Sequence, residues 1–236
     1  MKRRSYLVAM TAIICLIGVF VYVGTVFVPV RASSASMAPT VLPGDWVMVR
    51  RATMKNDLLS LIGFDQNTSF PASWIEPGTV VLYEPRSKRT ESDAGLTMKR
   101  VVAVPGDTLE RRKPNLFING DSLQLPGGPI SKSTTHTWGP VQIPEKGESY
   151  SPAEHSQSPL AAGFLGENDT LPDDVSIRQP LYFVVGDNPE YSVDSRDVGL
   201  VSADRIQAIV RIRLLSSGPS GIIWGRTLRG VWFPVR

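Results

Sequence analysis

The sequence predicts a mainly β domain behind a single apolar N-terminal helix. Three observations carry that reading. The stretch Ser5–Val30 contains no charged residue. Three Pro-Gly turns each lead into a strand-like run. Convincing helical periodicity is scarce in the remainder.

The apolar stretch comes first. A helix of 26 residues is about 39 Å long at ~1.5 Å per residue, enough to cross a hydrocarbon core of about 30 Å with some tilt. A cleaved signal peptide would have a shorter apolar region of about 7–15 residues. The length therefore favours a retained transmembrane anchor over residues 5–30. Residues 1–4 carry Lys2, Arg3 and Arg4, a basic tail that the positive-inside rule keeps in the cytoplasm. Residues 31–236 then lie on the outer or periplasmic face.

The turns and strands follow. Pro43-Gly44-Asp45 precedes Trp46–Val49, Pro77-Gly78-Thr79 precedes Val80–Tyr83, and Pro105-Gly106-Asp107 precedes Thr108–Glu110. Proline suits the second position of a type II turn, and glycine accepts the positive φ required next. Further strands are expected at Thr97–Val104, Leu116–Ile118, Tyr182–Val185 and Ala208–Leu214. Asn119-Gly120 marks a hairpin. Only Lys55–Ile62 and a single turn at Ala203–Ile206 suggest soluble helix. Residues 126–180 are rich in Pro, Ser, Thr and Gly and hold both histidines, His136 and His155. They read as loop-rich. The expected organisation is a β domain of residues 31–110 and 181–236, interrupted by an inserted subdomain at 111–180. Residues 51–76 read as a smaller insertion.

Composition excludes several functions. A hydrophobic content of 42% supports a core. Lys2, Arg3 and Arg4 account for the whole net charge of +3, so the rest lacks the basic footprint of a nucleic-acid binder. Cys15 is the single cysteine and lies inside the apolar stretch, so no internal disulfide forms. With two histidines and one cysteine no Cys/His metal cluster can be drawn, and neither metal nor cofactor is expected.

Three segments carry the chemistry. Ser34-Ala35-Ser36-Met37-Ala38-Pro39-Thr40 begins just beyond the apolar stretch. Alone, Ser36 is a surface-turn residue. Lys99 sits in the apolar strand Met98-Lys99-Arg100-Val101-Val102. A strand lysine ordinarily keeps its ammonium in water. To act as a base it must be neutral, with a pKa brought down from about 10.4 by apolar burial. Lys99 and Arg100 point to opposite faces of their strand, so one can be desolvated while the other meets a carboxylate. The third segment runs from Gly186-Asp187-Asn188 to Ser192, Asp194, Ser195 and Arg196. By itself it reads as a polar loop. The chain has no Gly-x-Ser-x-Gly elbow and no Ser-x-x-Lys, which removes two other nucleophile architectures.

Taken together these segments resemble the type I signal peptidases, the membrane-anchored Ser/Lys endopeptidases of bacteria. The block Ser34–Thr40 resembles the family's Ser-x-Ser-Met-x-Pro-Thr. Gly44–Val49, Lys99–Asp107 and Gly186–Arg196 resemble its other three blocks, in family order. The resemblance covers residues 5–50, 77–110 and 181–214. It implies coiled antiparallel β-sheets and a bacterial cytoplasmic-membrane location, with the N-terminus cytoplasmic. It implies Ser36 as nucleophile, Lys99 as general base, and the Ser36 N–H with the Ser34 hydroxyl as oxyanion hole. Ser192 would orient Lys99. Asp194 would pair with Arg196 and Arg100, while Asp187 and Asn188 would stabilise their turn. Met37 and Val41 would wall a shallow substrate pocket. The implied partners are the lipid bilayer and secreted preproteins with small residues before the cleavage site, lying extended along residues 29–35 and 96–98. The chain departs from the pattern at Ser33, Ala35, Val41 and Pro189, the last replacing a common arginine.

Two rival readings share these features. One is a specialised peptidase of the same clan, such as a pilin-processing enzyme. The other is a non-catalytic anchored β domain that binds exported proteins, against which the presence of both Ser36 and Lys99 argues. The C-terminal Ile222, Ile223, Trp224, Trp232 and Phe233 fit either a membrane interface or core packing.

Overall fold

The computed structural model describes Tyr6, Gly18, Gly24 and residues 10–16, 26–52, 70–85, 95–112, 115–128, 137–164, 171–218, 221–223 and 229–231. The strands are β1 (Phe27–Arg31), β2 (Trp46–Arg51), β3 (Val80–Tyr83), β4 (Thr97–Ala103), β5 (Thr108–Arg112), β6 (Asn115–Ile118), β7 (Asp121–Ser122), β8 (Trp138–Gln142), β9 (Ser149–Tyr150), β10 (Val175–Ser176), β11 (Leu181–Val185), β12 (Val201–Ser202), β13 (Ile206–Leu215), β14 (Ser217–Gly218), β15 (Gly221–Ile222) and β16 (Arg229–Gly230).

Eight of these strands form one antiparallel sheet in the order β1-β2-β13-β3-β4-β11-β12, with β16 paired to β13. A second sheet of four runs β7-β6-β5-β8. The mainly β class thus holds. Register breaks at Phe183/Val184, Val210/Ile212 and Ile206/Ala208 mark bulges that bend the large sheet.

The Pro-Gly turns form for the expected reason. Gly44, Gly78 and Gly106 take φ of 91°, 100° and 87°. Each turn closes with the N–H of its last residue on the carbonyl before proline, at 3.0 Å for Asp45, Thr79 and Asp107. Asn119 and Gly120 both take positive φ and join β6 to β7, the two-residue hairpin that the dipeptide favours. Ala203–Arg205 is a 3-10 turn. Lys55–Ile62, His136, Trp224, Trp232 and Phe233 lie outside the described residues.

One expectation is corrected. The apolar stretch does not run as helix to Val30, because Phe27–Arg31 is β1, paired antiparallel with β2 from Phe27↔Arg50 to Arg31↔Trp46. Its β-branched and aromatic residues suit a half-buried strand, and Ala32 N–H extends the pairing to Asp45 O at 2.8 Å. The anchor expected over residues 5–30 falls partly outside the described residues. Among those described, no helix is long and apolar enough to cross a membrane. The second sheet begins ahead of residue 111. Thr108–Glu110 belong to the second sheet, since β5 pairs with β6 and β8. The Pro105-Gly106 turn separates β5 from β4, and the small sheet starts there.

The core lies on both faces of β4 and β11. Val101, two residues from Lys99, packs with Val81, Val184 and Ile209. Val102, two residues from Arg100, packs with Leu109, Ile118 and Phe183, joining the second sheet to the first. This alternation carries Lys99 and Arg100 to opposite faces.

Candidate active site

Ser36 sits in a tight loop between β1 and β2. The loop is fixed by hydrogen bonds from Ala38 N to Ala35 O at 3.0 Å and from Val41 N to Met37 O at 2.9 Å. Asp45, fully buried, closes its far end: Oδ2 accepts from Leu42 N and Oδ1 from the Ser216 hydroxyl, both at 2.9 Å. Met37 and Val41 are buried beneath the loop and pack with Val47, Val49 and Val80.

Ser36 and Lys99 are both buried, at 3% and 2% exposure, and both line one cavity of about 140 Å³. That size is on the scale of a cavity admitting one small apolar group. Residues 30–34, Ser36, Met37 and Val41 line it together with Leu82, residues 96–99 and Val193. The structure therefore gathers Ser34, Ser36, Lys99, Met37 and Val41, which are far apart in sequence. Lys99 comes from β4, where it pairs with Val81 of β3. Residues 97–99 have no register partner on β11, whose pairing with β4 begins at Arg100.

Ser34 reaches Ser36 twice. Its hydroxyl donates to Ser36 Oγ at 2.9 Å, and its oxygen accepts from Ser36 N–H at 3.2 Å. The two donors expected to face an oxyanion therefore stand side by side.

The loop after β11 holds this arrangement from behind. Asp194 is the hub. Its Oδ2 accepts from the Ser192 hydroxyl at 2.6 Å and from Gly186 N–H at 2.9 Å. Arg196 Nε and Nη2 donate to it at 2.7 and 2.8 Å. Ser192 spends its proton on Asp194, which leaves its lone pairs as acceptors toward a lysine. Asp194 also caps the one-turn helix Ser195–Val198 in a capping box with Asp197, which explains why this carboxylate begins the segment. Pro189 opens the 3-10 turn Pro189–Tyr191, and its carbonyl accepts from Arg196 Nη2 at 3.1 Å. The proline thus keeps a link to Arg196 through its backbone.

Arg100 meets Asp187. Its Nε and Nη2 form a two-pronged pair with that carboxylate at 2.7 and 2.6 Å, both side chains fully buried. The register explains it. Arg100 lies opposite Val185, so its side chain shares a face with Val185 and with Asp187 two residues on. Arg100 Nη1 further donates to Gly78 O at 2.6 Å and Val231 O at 2.9 Å.

Three contributions escaped the sequence reading. Asn188 N–H donates to Ser36 O at 3.0 Å and its side-chain amide to Ala35 O at 3.2 Å, so this turn clamps the serine loop directly. Gly186 has no room for a side chain: a Cβ there would overlap Ser192 Oγ and come within 2.6 Å of Ser36 O. Gly127 brings the insert against the same turn, where a Cβ would overlap Asp187 O and lie 3.3 Å from Ala38 O. Glycine beside a strand end is the one signal that marked Gly186.

No group of three or more metal-ligating side chains occurs among the described residues.

Comparison with known proteins sets the class first: a hydrolase of the peptidase kind. The chain matches the family model described as signal peptidase, peptidase S26, over residues 3–215. It belongs to that family. It is 26% identical over 139 residues to signal peptidase I P of Bacillus subtilis subsp. natto, covering 55% of this chain and 54% of that protein. The match thus spans about half the length of the Bacillus relative. Signal peptidase IB of Staphylococcus aureus is 26% identical over 188 residues, covering 78% of this chain and 76% of the relative. A crystal structure of a signal peptidase I from Enterococcus faecalis is 22% identical and covers 57% of this chain and 94% of its own, with a TM-score of 0.29.

Proposed function

We propose that this chain is a membrane-anchored serine endopeptidase that removes N-terminal signal peptides from exported preproteins, with Ser36 as nucleophile and Lys99 as general base. The observation that supports it best is the meeting of Ser34, Ser36 and Lys99 in one apolar cavity.

The chemistry follows from the geometry. Lys99 Nζ takes the Ser36 proton as Oγ attacks the scissile carbonyl. Charge developing on the carbonyl oxygen is met by Ser36 N–H and by the Ser34 hydroxyl, turned from Ser36 Oγ toward it. The Lys99 ammonium then protonates the leaving amine, which departs and leaves the acyl group on Ser36. The neutral lysine next takes a proton from water, whose oxygen attacks the ester; as the ester C–O bond breaks, the Lys99 ammonium returns that proton to Ser36 Oγ, freeing Ser36 and restoring the neutral lysine. Ser192, held by Asp194, offers its lone pairs to orient Lys99.

The substrate reading rests on the cleft walls. Residues 30–34 and 97–99 line the cleft, and 97–99, paired with β3 on one side, have no register partner on β11, which leaves an edge where an extended segment can add as a strand. Met37 and Val41 floor a small apolar pocket suited to small side chains. The apolar stretch before β1 serves as the anchor: residues 5–26 would span about 33 Å as helix at ~1.5 Å per residue. A substrate held in the same bilayer gains effective concentration at the adjoining site. The anchor lies in the cytoplasmic membrane, with the catalytic domain outside.

The test is incubation of the full-length protein in detergent with a purified preprotein, followed by N-terminal sequencing of the product. A single new terminus, directly after a small residue, is expected. An intact preprotein would sink the reading, as would cleavage at basic or aromatic residues.

A further inference from the structure

A second cavity of about 230 Å³ lies behind the Ser192–Arg196 loop, where the inserted subdomain meets it. Arg111 of β5, Trp138 of β8, Gln157, Ser158 and Arg196 supply its polar lining. None of the described lining residues is acidic. Arg111 is buried and the Arg196 side chain is 8% exposed.

One of these groups is unsatisfied in a way that points to a ligand. Ser158 Oγ is buried and has no hydrogen-bond partner among the described residues. Arg196 engages Asp194 and Pro189 through Nε and Nη2 and also lines the cavity. Leaving buried polar groups unpaired is costly. The two guanidiniums also oppose each other: Arg111 is held below its ordinary pKa by burial and then by the charge of Arg196. An anion between them would relieve both costs. The lining supplies donors in abundance, namely two planar forks, a hydroxyl, an amide and an indole N–H.

We infer that this cavity is a binding site for a small oxyanion of the phosphate type, held by Arg111, Arg196 and Ser158. The site stands apart from the proposed cleavage reaction, since binding can be read without turnover. Its occupant would join the inserted subdomain to the loop that positions Ser192, because Arg196 touches both the anion and Asp194. That gives residues 111–180 a purpose beyond packing.

The test uses the full chain in nanodiscs of neutral lipid, titrated with inorganic phosphate at constant ionic strength and followed by calorimetry and thermal melting. Saturable binding near one equivalent is expected, with a melting temperature that rises with phosphate. Arg111→Gln should weaken binding about tenfold or more, as expected for losing a charged hydrogen bond. Ser158→Ala, a milder change, should weaken it several-fold with the melting curve of the free protein retained. A parallel arm replaces part of the neutral lipid with an anionic phospholipid. Competition between that lipid and inorganic phosphate would assign the occupant to a lipid headgroup, and its absence to a free anion. Two outcomes overturn the proposal: no saturable binding of either source, or binding left unchanged by both substitutions.

Discussion

Replacing Gly186 with alanine probes how the serine loop and the lysine-orienting loop are held together. The new Cβ would overlap Ser192 Oγ and sit 2.6 Å from both Ser192 Cβ and Ser36 O. Ordinary contact begins at 3.4 Å, so about 0.8 Å or more of displacement is required. Neither neighbour yields freely. Ser192 Oγ is bound to Asp194 at 2.6 Å, and Ser36 O accepts from Asn188 N–H at 3.0 Å. Overpacking of this kind costs about 1–3 kcal/mol, which lowers the melting temperature by roughly 2–12 °C in a domain of this size. The catalytic cost should be larger, because a misplacement of ~1 Å can remove about 10²-fold of rate. Steady-state cleavage of a fluorogenic signal-sequence peptide gives kcat/KM, and circular dichroism gives the melt. Gly230→Ala is the control, since nothing lies within 4 Å of a Cβ there. If Gly186→Ala keeps wild-type kcat/KM, the tight convergence of the two loops is not what positions the site.

Four further outcomes follow from the geometry. Ser34→Ala removes one of the two proposed oxyanion donors and should cost about 2.7–4 kcal/mol, or 10²–10³-fold in kcat, with the melt unchanged; a loss below threefold would exclude Ser34 from that role. Asp187→Asn strands the buried Arg100 charge and should destabilise by about 3–5 kcal/mol, read by urea unfolding, whereas a neutral result would show that the Arg100–Asp187 pair does not hold the turn. The buried Tyr150 hydroxyl has no hydrogen-bond partner among the described residues, and burial pushes it from 10.0 up to about 12. Unfolded Tyr150 loses its proton first as pH rises, so stability should fall between pH 10 and about 12. Tyr150→Phe should flatten that fall, and an unaltered alkaline melt would contradict it. Gly127→Ala should lower activity by pressing the insert on Asp187 O, measured as kcat/KM at full occupancy of the folded state; unchanged activity would uncouple the insert from the site.

Short-range features of the fold were legible in the sequence. Val80–Tyr83 forms β3 with the expected bounds, because a Pro-Gly turn and an apolar run are local signals. Asn119-Gly120 set its hairpin for the same reason. The chemistry-bearing segments were visible too, and Ser34, Ser36, Lys99, Met37 and Val41 do share one cavity. Long-range register was not visible. The resemblance implied Asp194 as a partner of Arg100 and left Asp187 to its turn; the Arg100↔Val185 pairing brings Asp187 to Arg100 as well. The strand character of Phe27–Arg31 was hidden by the apolar residues that continue the preceding stretch, since hydrophobicity alone does not separate a buried strand from a helix. The clamp from Asn188 to Ser36 could not be read from a polar loop. It depends on where β11 ends relative to the serine loop.

The central claim is that Ser36 carries the acyl group and Lys99 generates its nucleophile. Intact-mass spectrometry of the full chain, acid-quenched during turnover of a signal-peptide ester, tests it most directly. The account predicts an adduct of the acyl fragment mapping to Ser36, absent in Ser36→Ala and in Lys99→Ala, with both variants folded by circular dichroism. An adduct on another residue, or turnover at the wild-type rate by either variant, would contradict it.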